Sequence, residues 1–152
     1  MHSHAPENYD CPFCRLVRGL KTNESSQDDV VYRDDDVLAF VSAGWWLNNP
    51  AHVLVVPNVH YENIFELPAE LGTPIQRVAR EIAIAFKETY GCDGVSARQH
   101  NEPAGNQDVW HYHLHVFPRY TDDHLYLQWW RPSTPEERYP YAVKLREFLR
   151  KS

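Results

Sequence analysis

The pattern of apolar and polar positions along the chain predicts several short strands. Two apolar stretches, residues 30–33 and 37–41, flank the acidic triplet 34–36, and this arrangement predicts a β-hairpin. Residues 52–57 form a nearly continuous apolar run that ends at a proline, which indicates a buried strand. Residues 94–100 predict a further strand that leads into a segment rich in histidine.

A helical period is clearest over residues 71–90. Apolar residues recur there at spacings of three and four, alanines let one face approach a sheet, and Gly91 is a typical helix end. A short helix is predicted over residues 11–18. A final helix is predicted to begin at Thr134-Pro135-Glu136-Glu137, a capping box with proline at its first position, and Pro140 indicates a restart.

Adjacent tryptophans mark two places in the chain. Trp45 and Trp46 lie in a predicted loop over residues 42–51, and Trp129 and Trp130 follow in a segment where the periodic pattern weakens. Two neighbouring residues cannot both face inward in regular structure. We therefore expect at least one residue of the first pair to contact a ligand, a partner chain or a loop.

Composition and charge narrow the classes of function. The chain has 152 residues, 43% of them hydrophobic, and we expect a single domain over 1–152 with an adequate core. No apolar run approaches the length of a membrane span, and the polar N-terminal segment lacks the order of a signal peptide, so a soluble cytoplasmic protein without membrane association is predicted. A net charge of −6 disfavours non-specific nucleic-acid binding, although a nucleotide can bind at a local site.

Three histidines follow one another at two-residue spacing in a segment whose large β-forming residues predict a strand: His111, His113 and His115. Side chains at this spacing share one face of a strand, so the imidazoles are expected in one row, about 6.6 Å apart. Imidazole is both a nucleophile and a zinc ligand, so the row suits phosphorus chemistry or metal binding. The donor-rich segment 105–108 suits phosphate oxygens, and Arg119 offers a cation.

The three cysteines do not predict a disulfide framework, because their number is odd and no secretion signal is recognised. Cys92 is expected to be a small buried residue after the long helix. Cys11 and Cys14 form a Cys-x-x-Cys pair with two interpretations, a redox motif that resembles the glutaredoxin active site or half of a zinc site. A redox pair should follow a buried strand, and only ten residues precede this pair, so the sequence favours zinc.

The histidine segment and its surroundings resemble the histidine triad (HIT) superfamily of nucleotide hydrolases and transferases. The resemblance runs from about Cys11 to Tyr120 and includes the segments CPFC, VLAF, HVLVVP, HYENIFEL, the long helix and HYHLH. It implies an α+β fold with a five-stranded antiparallel sheet, one long helix, a short N-terminal helix and a C-terminal helical extension over 121–152. The core would be residues 11–120, and the family usually forms homodimers.

The resemblance also implies roles for individual residues. His113 corresponds to the nucleophile, and the other implied catalytic residues are His115, Gln107 and His52. The implied substrate contacts are Asn101, Gln107, Asp108 and His115. The positions that bind zinc in bacterial-type members correspond to Cys11, Cys14, His60 and His111, a Cys₂His₂ set that suits a structural Zn²⁺ ion. Such a site would use His111 for metal and leave the other two histidines of the segment for phosphorus.

Two positions depart from the family pattern. Ser42 stands where an aspartate usually contacts the ribose. Asp108 stands where many members carry a serine that helps to protonate the leaving group. These departures concern nucleoside recognition and the preference for a leaving group.

The resemblance implies an enzyme that takes a purine nucleotide or nucleotide conjugate. It would split a nucleoside phosphoramidate or a dinucleoside polyphosphate at the α-phosphorus through a nucleotidyl-histidine intermediate. An alternative is a zinc-stabilised nucleotide-binding module with little or no turnover, which would form no covalent intermediate. A third is a metal-dependent hydrolase that uses all three histidines and loses activity with a chelator while the fold survives.

Overall fold

Two sheets and three α-helices make up the part of the chain that the computed structural model describes, residues 2–127 and 129–151. The helices are α1 (Pro12–Val17), α2 (Gly72–Tyr90) and α3 (Pro135–Lys151). The strands are β1 (Val30–Arg33), β2 (Val37–Val41), β3 (Gly44–Trp46), β4 (Val53–Pro57), β5 (Gly94–Gln99), β6 (Leu114–Arg119) and β7 (Trp130–Pro132). None of the described helices combines the length and apolarity that a membrane crossing requires.

The main sheet has five strands in the order β1-β2-β4-β6-β5, and every neighbouring pair is antiparallel. This architecture confirms the predicted α+β fold, with one long helix, a short N-terminal helix and a C-terminal helix. Strands β2 and β4 are buried at every position because both of their faces are covered.

Helices cover the two faces of the main sheet unequally. On one face, α2 and α3 pack against the valine and alanine side chains of β2 and β4. On the other face, Phe13 and Leu16 of α1 pack against a smaller cluster that includes Leu38, Phe40 and Leu54 of β2 and β4. Because α1 has only six residues, it leaves the same face of β6 and β5 open to a cleft.

The ends of the two longer helices follow local sequence signals. Gly91 ends α2 in the left-handed region, with φ of +64°. At the start of α3, the Glu137 amide donates to Thr134 Oγ1 at 3.2 Å and the Thr134 amide donates to a Glu137 carboxylate oxygen at 2.8 Å. This is the predicted capping box. The predicted restart at Pro140 is wrong, since α3 continues through the proline and its later turns are anchored by buried apolar residues.

A buried ion pair fixes α3 to the segment before β1. The Arg138 guanidinium donates to both carboxylate oxygens of Asp29, at 2.6 and 3.1 Å, and neither side chain is more than 2% exposed. The same guanidinium also donates to the carbonyls of Ser133 and Glu24, at 2.7 Å each. The C-terminal segment is thereby held against the main sheet.

Within the predicted loop 42–51, β3 pairs with β7 to form a second, two-stranded sheet that the sequence did not predict. Trp45 is buried and packs edge-on against Tyr141, with ring centroids 5.6 Å apart, whereas Trp46 faces Phe117 at 6.4 Å. The two adjacent tryptophans therefore have different environments, as expected. The Trp130 ring covers Gly44 so closely that a Cβ atom there would lie 3.2 Å from it.

Candidate functional site

The histidine segment is divided between two sites. Strand β6 begins only at Leu114, so His111 and His113 precede it in irregular backbone. The Tyr112 amide donates to the Tyr61 carbonyl at 2.6 Å, a bond that holds this segment against a loop. The predicted strand therefore starts too early, and of the three histidines only His115 lies on it.

His113 is buried beside the cleft in a fixed orientation. Its Nδ1–H donates to the His111 carbonyl at 2.7 Å, so the lone pair lies on Nε2. Nε2 is buried without a hydrogen-bond partner among the described residues, and Asp108 Oδ1 lies 3.6 Å away. The edge of the Phe13 ring packs against the imidazole, with centroids 5.3 Å apart. In this tautomer the imidazole offers a nucleophilic nitrogen to the cleft.

His115 and His52 form a second pair of imidazoles. His115 Nδ1 lies 3.3 Å from His52 Nε2, and both rings stack with Phe117. Burial lowers the pKa of His52 to about 3, and the positive charge of Arg98 adds to this effect. Burial, together with the neighbouring His113, holds the pKa of His115 well below its ordinary value. Both rings are therefore neutral at pH 7.

These imidazoles border a cleft of about 590 Å³. One wall is apolar with hydroxyl groups and is formed by Phe13, Leu54, Val109, Ser25 and Ser42. A second wall is largely aromatic and is formed by Trp46, Tyr126, Leu127, Trp129 and Trp130. The second wall consists mainly of the segment after residue 120, which the two-stranded sheet places beside the cleft.

Sequence reasoning missed Arg98 and His100, both of which border the cleft. The register of β5 and β6 places Arg98 opposite His115. The His100 ring lies 5.5 Å from the His115 ring, and its Nδ1–H donates to the Gly105 carbonyl at 2.7 Å. The available signal was a two-residue spacing of an arginine and a histidine in the predicted strand before the histidine segment.

The side chains of Gln107 and Asn101 are hydrogen-bonded to other groups of the protein and do not line the cleft. Gln107 Nε2 donates to the carbonyls of Glu62, at 2.6 Å, and Val109, at 3.0 Å, while its Oε1 accepts from the Glu102 amide at 2.8 Å. Asn101 Oδ1 accepts a backbone amide at 2.8 Å. Backbone groups bind both side chains in this structure, and the phosphate contact expected of the two residues stays a prediction.

Arg119 does not supply the cation expected beside the histidines. Its guanidinium donates to both carboxylate oxygens of Asp123, at 2.7 and 2.9 Å, and to Ser96 Oγ at 2.9 Å. These bonds hold the pKa of the Asp123 carboxyl well below its usual range. The charge of Arg119 is thereby neutralised, whereas Asp108 lies at the cleft with a side chain that is 73% exposed.

The four predicted metal ligands converge at one point: Cys11, Cys14, His60 and His111. Their ligand atoms all lie within 4.8 Å of one another, and the three closest sulfur–nitrogen distances are 3.3, 3.4 and 3.6 Å. A tetrahedral zinc site has sulfur–nitrogen edges of about 3.5 Å. His111 Nε2–H donates to the Pro57 carbonyl at 2.9 Å, which orients Nδ1 towards the thiols. The geometry and the donor set fit a four-coordinate zinc ion.

The same arrangement disfavours the redox interpretation of the Cys-x-x-Cys pair. Cys11 is only 5% exposed, so a partner thiol has little access to its sulfur. The first strand begins at Val30, so no strand precedes the pair within the described residues. Each cysteine sulfur instead lies beside an imidazole nitrogen. Cys92 is buried after α2, as expected.

Comparison with known sequences agrees with this geometry. The HIT domain family model matches residues 23–122. A Bacillus subtilis protein named hit is 32% identical over 77% of this chain and 74% of its own length. The purine nucleoside phosphoramidase of Escherichia coli is 32% identical over 58% of this chain and 73% of its length. The adenylylsulfatase of Arabidopsis thaliana is 28% identical over 77% of this chain and 56% of its length.

Solved structures share the fold over nearly the whole chain. A Hit-like protein from Bartonella henselae is 30% identical, with a TM-score of 0.77 over 95% of this chain and 99% of that one. A Zn-bound histidine triad family protein from Mycobacterium smegmatis is 26% identical, with a TM-score of 0.77 over 93% and 94%. The similarity therefore extends beyond the histidine segment to the N-terminal helix and the C-terminal region.

Proposed function

The chain belongs to the HIT domain family, and we propose that it is a nucleotide hydrolase or transferase acting at the α-phosphorus of nucleoside phosphoramidates or dinucleoside polyphosphates. One observation carries the proposal. His113 is a buried imidazole whose Nδ1–H is bound by a backbone carbonyl and whose Nε2 has no partner among the described residues. The relatives named as a purine nucleoside phosphoramidase and an adenylylsulfatase support a reaction of this kind.

The reaction begins with attack of His113 Nε2 on the α-phosphorus. A P–N bond forms to the imidazole, the bond to the leaving group breaks, and its electron pair departs with that group. Water then attacks the same phosphorus, which releases a nucleoside monophosphate and regenerates the imidazole. Nucleophile and substrate are brought together in one cleft, so the chemical step is effectively unimolecular.

His115 stabilises charge on the non-bridging phosphate oxygens. When His52 Nε2–H donates to His115 Nδ1, the His115 Nε2–H is left to donate to the phosphate. Both rings are neutral, so each has one N–H group, and this arrangement directs that of His115 to the phosphate.

The remaining predicted residues have binding or supporting roles in this reaction. Ser42 and the apolar wall beside it offer a surface for a purine nucleoside. Gln107 and Asn101 support the segment 101–109 through their bonds to the backbone. The exposed Asp108 carboxylate turns away from His113 when a phosphate enters, and its exposure allows this movement.

A structural zinc ion is the second part of the proposal, with Cys11, Cys14, His60 and His111 as its ligands. All four positions around the ion would be protein atoms, so it would cross-link three segments and supply no chemistry to the reaction. The Zn-bound relative from M. smegmatis supports this assignment. A catalytic metal on all three histidines is disfavoured because His111 Nδ1 faces the cysteine sulfurs.

A covalent adduct distinguishes the enzyme from the alternative, a nucleotide-binding module without turnover. The protein is mixed with an adenosine phosphoramidate, quenched in acid within milliseconds to seconds, and measured by intact-protein mass spectrometry. We expect an increase in mass equal to one adenylyl group, and peptide mapping should locate it on His113. Absence of both adduct and turnover with phosphoramidates and dinucleoside polyphosphates would favour the binding module.

We also propose a homodimer, because the family resemblance implies one and large apolar side chains are exposed beside the cleft. Trp129, Leu127 and Leu47 are 91%, 82% and 70% exposed. Light scattering coupled to size-exclusion chromatography should therefore give twice the mass of the chain. A single-chain mass at tens of micromolar protein, roughly the range of ordinary association, would contradict the dimer.

A further inference from the structure

Arg98 is a cation without a carboxylate partner at the edge of the main sheet. Its Nε atom is buried and has no hydrogen-bond partner among the described residues. None of the salt bridges within residues 2–127 and 129–151 includes it. Arg119, which lies four residues along β6 from the residue that pairs with Arg98, is neutralised by Asp123. Arg98 therefore keeps its charge available to the cleft.

Aromatic rings hold the Arg98 guanidinium in place. The guanidinium carbon lies 4.5 Å from the Phe117 ring centre, 5.1 Å from that of Trp46 and 5.7 Å from that of Tyr126. Stacking covers the flat faces of the group and leaves its N–H edges for a planar or tetrahedral anion. Burial lowers the pKa of Arg98, and an anionic partner would offset this cost.

His100 is a second imidazole on the same side of His115. It directly follows β5 and borders the cleft together with Arg98. Its Nδ1–H donates to the Gly105 carbonyl, so Nε2 carries a lone pair that can accept a hydrogen bond from water or from a hydroxyl group of a ligand. The pair thus flanks His115 with one permanent cation and one imidazole.

The order of strands separates this pair from the apolar wall of the cleft. Phe13 of α1 and Leu54 of β4 lie over the centre of the sheet, whereas Arg98 and His100 lie on and beside the edge strand β5, with β6 between the two groups. A nucleoside fits the apolar wall with its hydroxyl groups. The cationic edge suits a part of the substrate that carries several negative charges.

We propose that the Arg98 guanidinium, with His100 beside it, forms a subsite for an anionic leaving group, of which the polyphosphate chain of a dinucleoside polyphosphate is the representative class. The inference rests on the proposed function and deepens it. Attack of His113 Nε2 breaks the P–O bond to the leaving group, and the electron pair and charge move onto a phosphate oxygen that the guanidinium neutralises. Such a group departs without a proton, whereas an amine must gain one.

The carboxyl group of Asp108 supports this choice of leaving group. It is the acidic side chain beside His113 Nε2, at 3.6 Å. Its side chain is 73% exposed, and an exposed aspartate carboxyl is ionised at neutral pH. An ionised carboxylate cannot donate the proton that a departing amine needs, so substrates with anionic leaving groups suit the cleft better.

The test compares two substrates that share the adenylyl group and differ in leaving group. Arg98→Met should lower kcat/KM for diadenosine tetraphosphate by about 10- to 100-fold, the usual effect of losing a charged hydrogen bond, and change that for adenosine phosphoramidate by no more than about threefold. Arg98→Lys should recover part of the loss. Arg80→Met, the same change at an exposed arginine on α2, should leave both substrates unaffected. Equal losses for both substrates, or no loss, would overturn the subsite.

A binding measurement separates failure of the subsite from failure of the proposed function. Calorimetric titration with inorganic tripolyphosphate needs no turnover, and Arg98→Met should weaken its binding by about tenfold or more. If the wild-type chain turns over neither substrate but shows this loss of affinity, the reaction is wrong and the anion subsite stands. Equal tripolyphosphate affinity in both proteins would refute the subsite. Arg98→Gln provides the same test if the methionine variant does not fold.

Discussion

Replacing His113 with alanine should lower the turnover of adenosine phosphoramidate by about 10⁴-fold or more, because the variant lacks the atom that forms the covalent intermediate. The Nε2 lone pair is available only because the backbone carbonyl of His111 holds the proton on Nδ1. No other imidazole bordering the cleft has both a carbonyl-bound Nδ1 and a position beside Asp108 within the described part of the chain. The covalent route therefore depends on this side chain.

Nucleotide binding should change much less in the same variant. His115, the apolar wall and the hydroxyl groups beside it all remain, so the dissociation constant for AMP measured by calorimetry should stay within about threefold. His124→Ala is the matched control, since that histidine is exposed and does not line the cleft, and it should retain the wild-type rate. If His113→Ala keeps most of the rate, the histidine mechanism is excluded. If it loses AMP binding as completely as turnover, His113 acts in binding.

Loss of the metal ligands should have the largest effect on stability. The purified protein is expected to carry about one zinc ion per chain, and Cys11→Ser/Cys14→Ser should carry almost none. The melting temperature of this double variant should fall by about 10 °C or more, since 1 kcal/mol corresponds to about 2–4 °C for a chain of this size. The ion would join α1, the loop after β4 and the segment before β6. Without the ion these segments are joined by the small cluster around Phe13 and Leu16 and by a few hydrogen bonds, such as that from Tyr112 to Tyr61.

Elemental analysis and calorimetric melting measure both parts of this expectation. Cys92→Ser is the control for cysteine removal, because that thiol is buried after α2 and lies outside the cluster, so zinc content should not change. His111→Ala should lose zinc and stability together, unlike His113→Ala, which should keep its zinc. A wild-type protein that melts unchanged after chelation would contradict the structural role. Loss of activity on chelation with an unchanged melting temperature would instead indicate a catalytic metal.

Elements with a local signal were predicted closely. The hairpin strands over 30–33 and 37–41 have the predicted bounds, because the acidic turn and the apolar runs that flank it lie next to one another in sequence. The long helix ends at Gly91, since only a residue that tolerates positive φ fits the left-handed end of a helix. Turn chemistry and helical period act over a few residues, and the sequence displays both directly.

Elements that depend on distant partners were predicted poorly. Strand β3 pairs Trp46 with Trp130, and neither of these three-residue strands is long enough to produce a periodic pattern. The start of β6 was misplaced because the backbone at Tyr112 bonds to Tyr61, a partner 51 residues earlier in the chain. The alternating pattern of side chains predicted a strand there. The bond between Tyr112 and Tyr61 and the side chain of His111 instead end the pairing of β6 with β4.

The chemically reactive groups of the protein, imidazoles and thiols, could be identified from the sequence alone. The three histidines at two-residue spacing and the Cys-x-x-Cys pair were recognisable as a nucleophile segment and a set of metal ligands. The resemblance also implied that His111 belongs to the metal ligands, and the tertiary structure brings the four ligands together beside a cleft. It also placed Arg98 opposite His115 and turned Gln107 towards backbone carbonyls. Residue spacing fixes the direction of neighbouring side chains, whereas strand register and loop contacts fix which distant side chains meet.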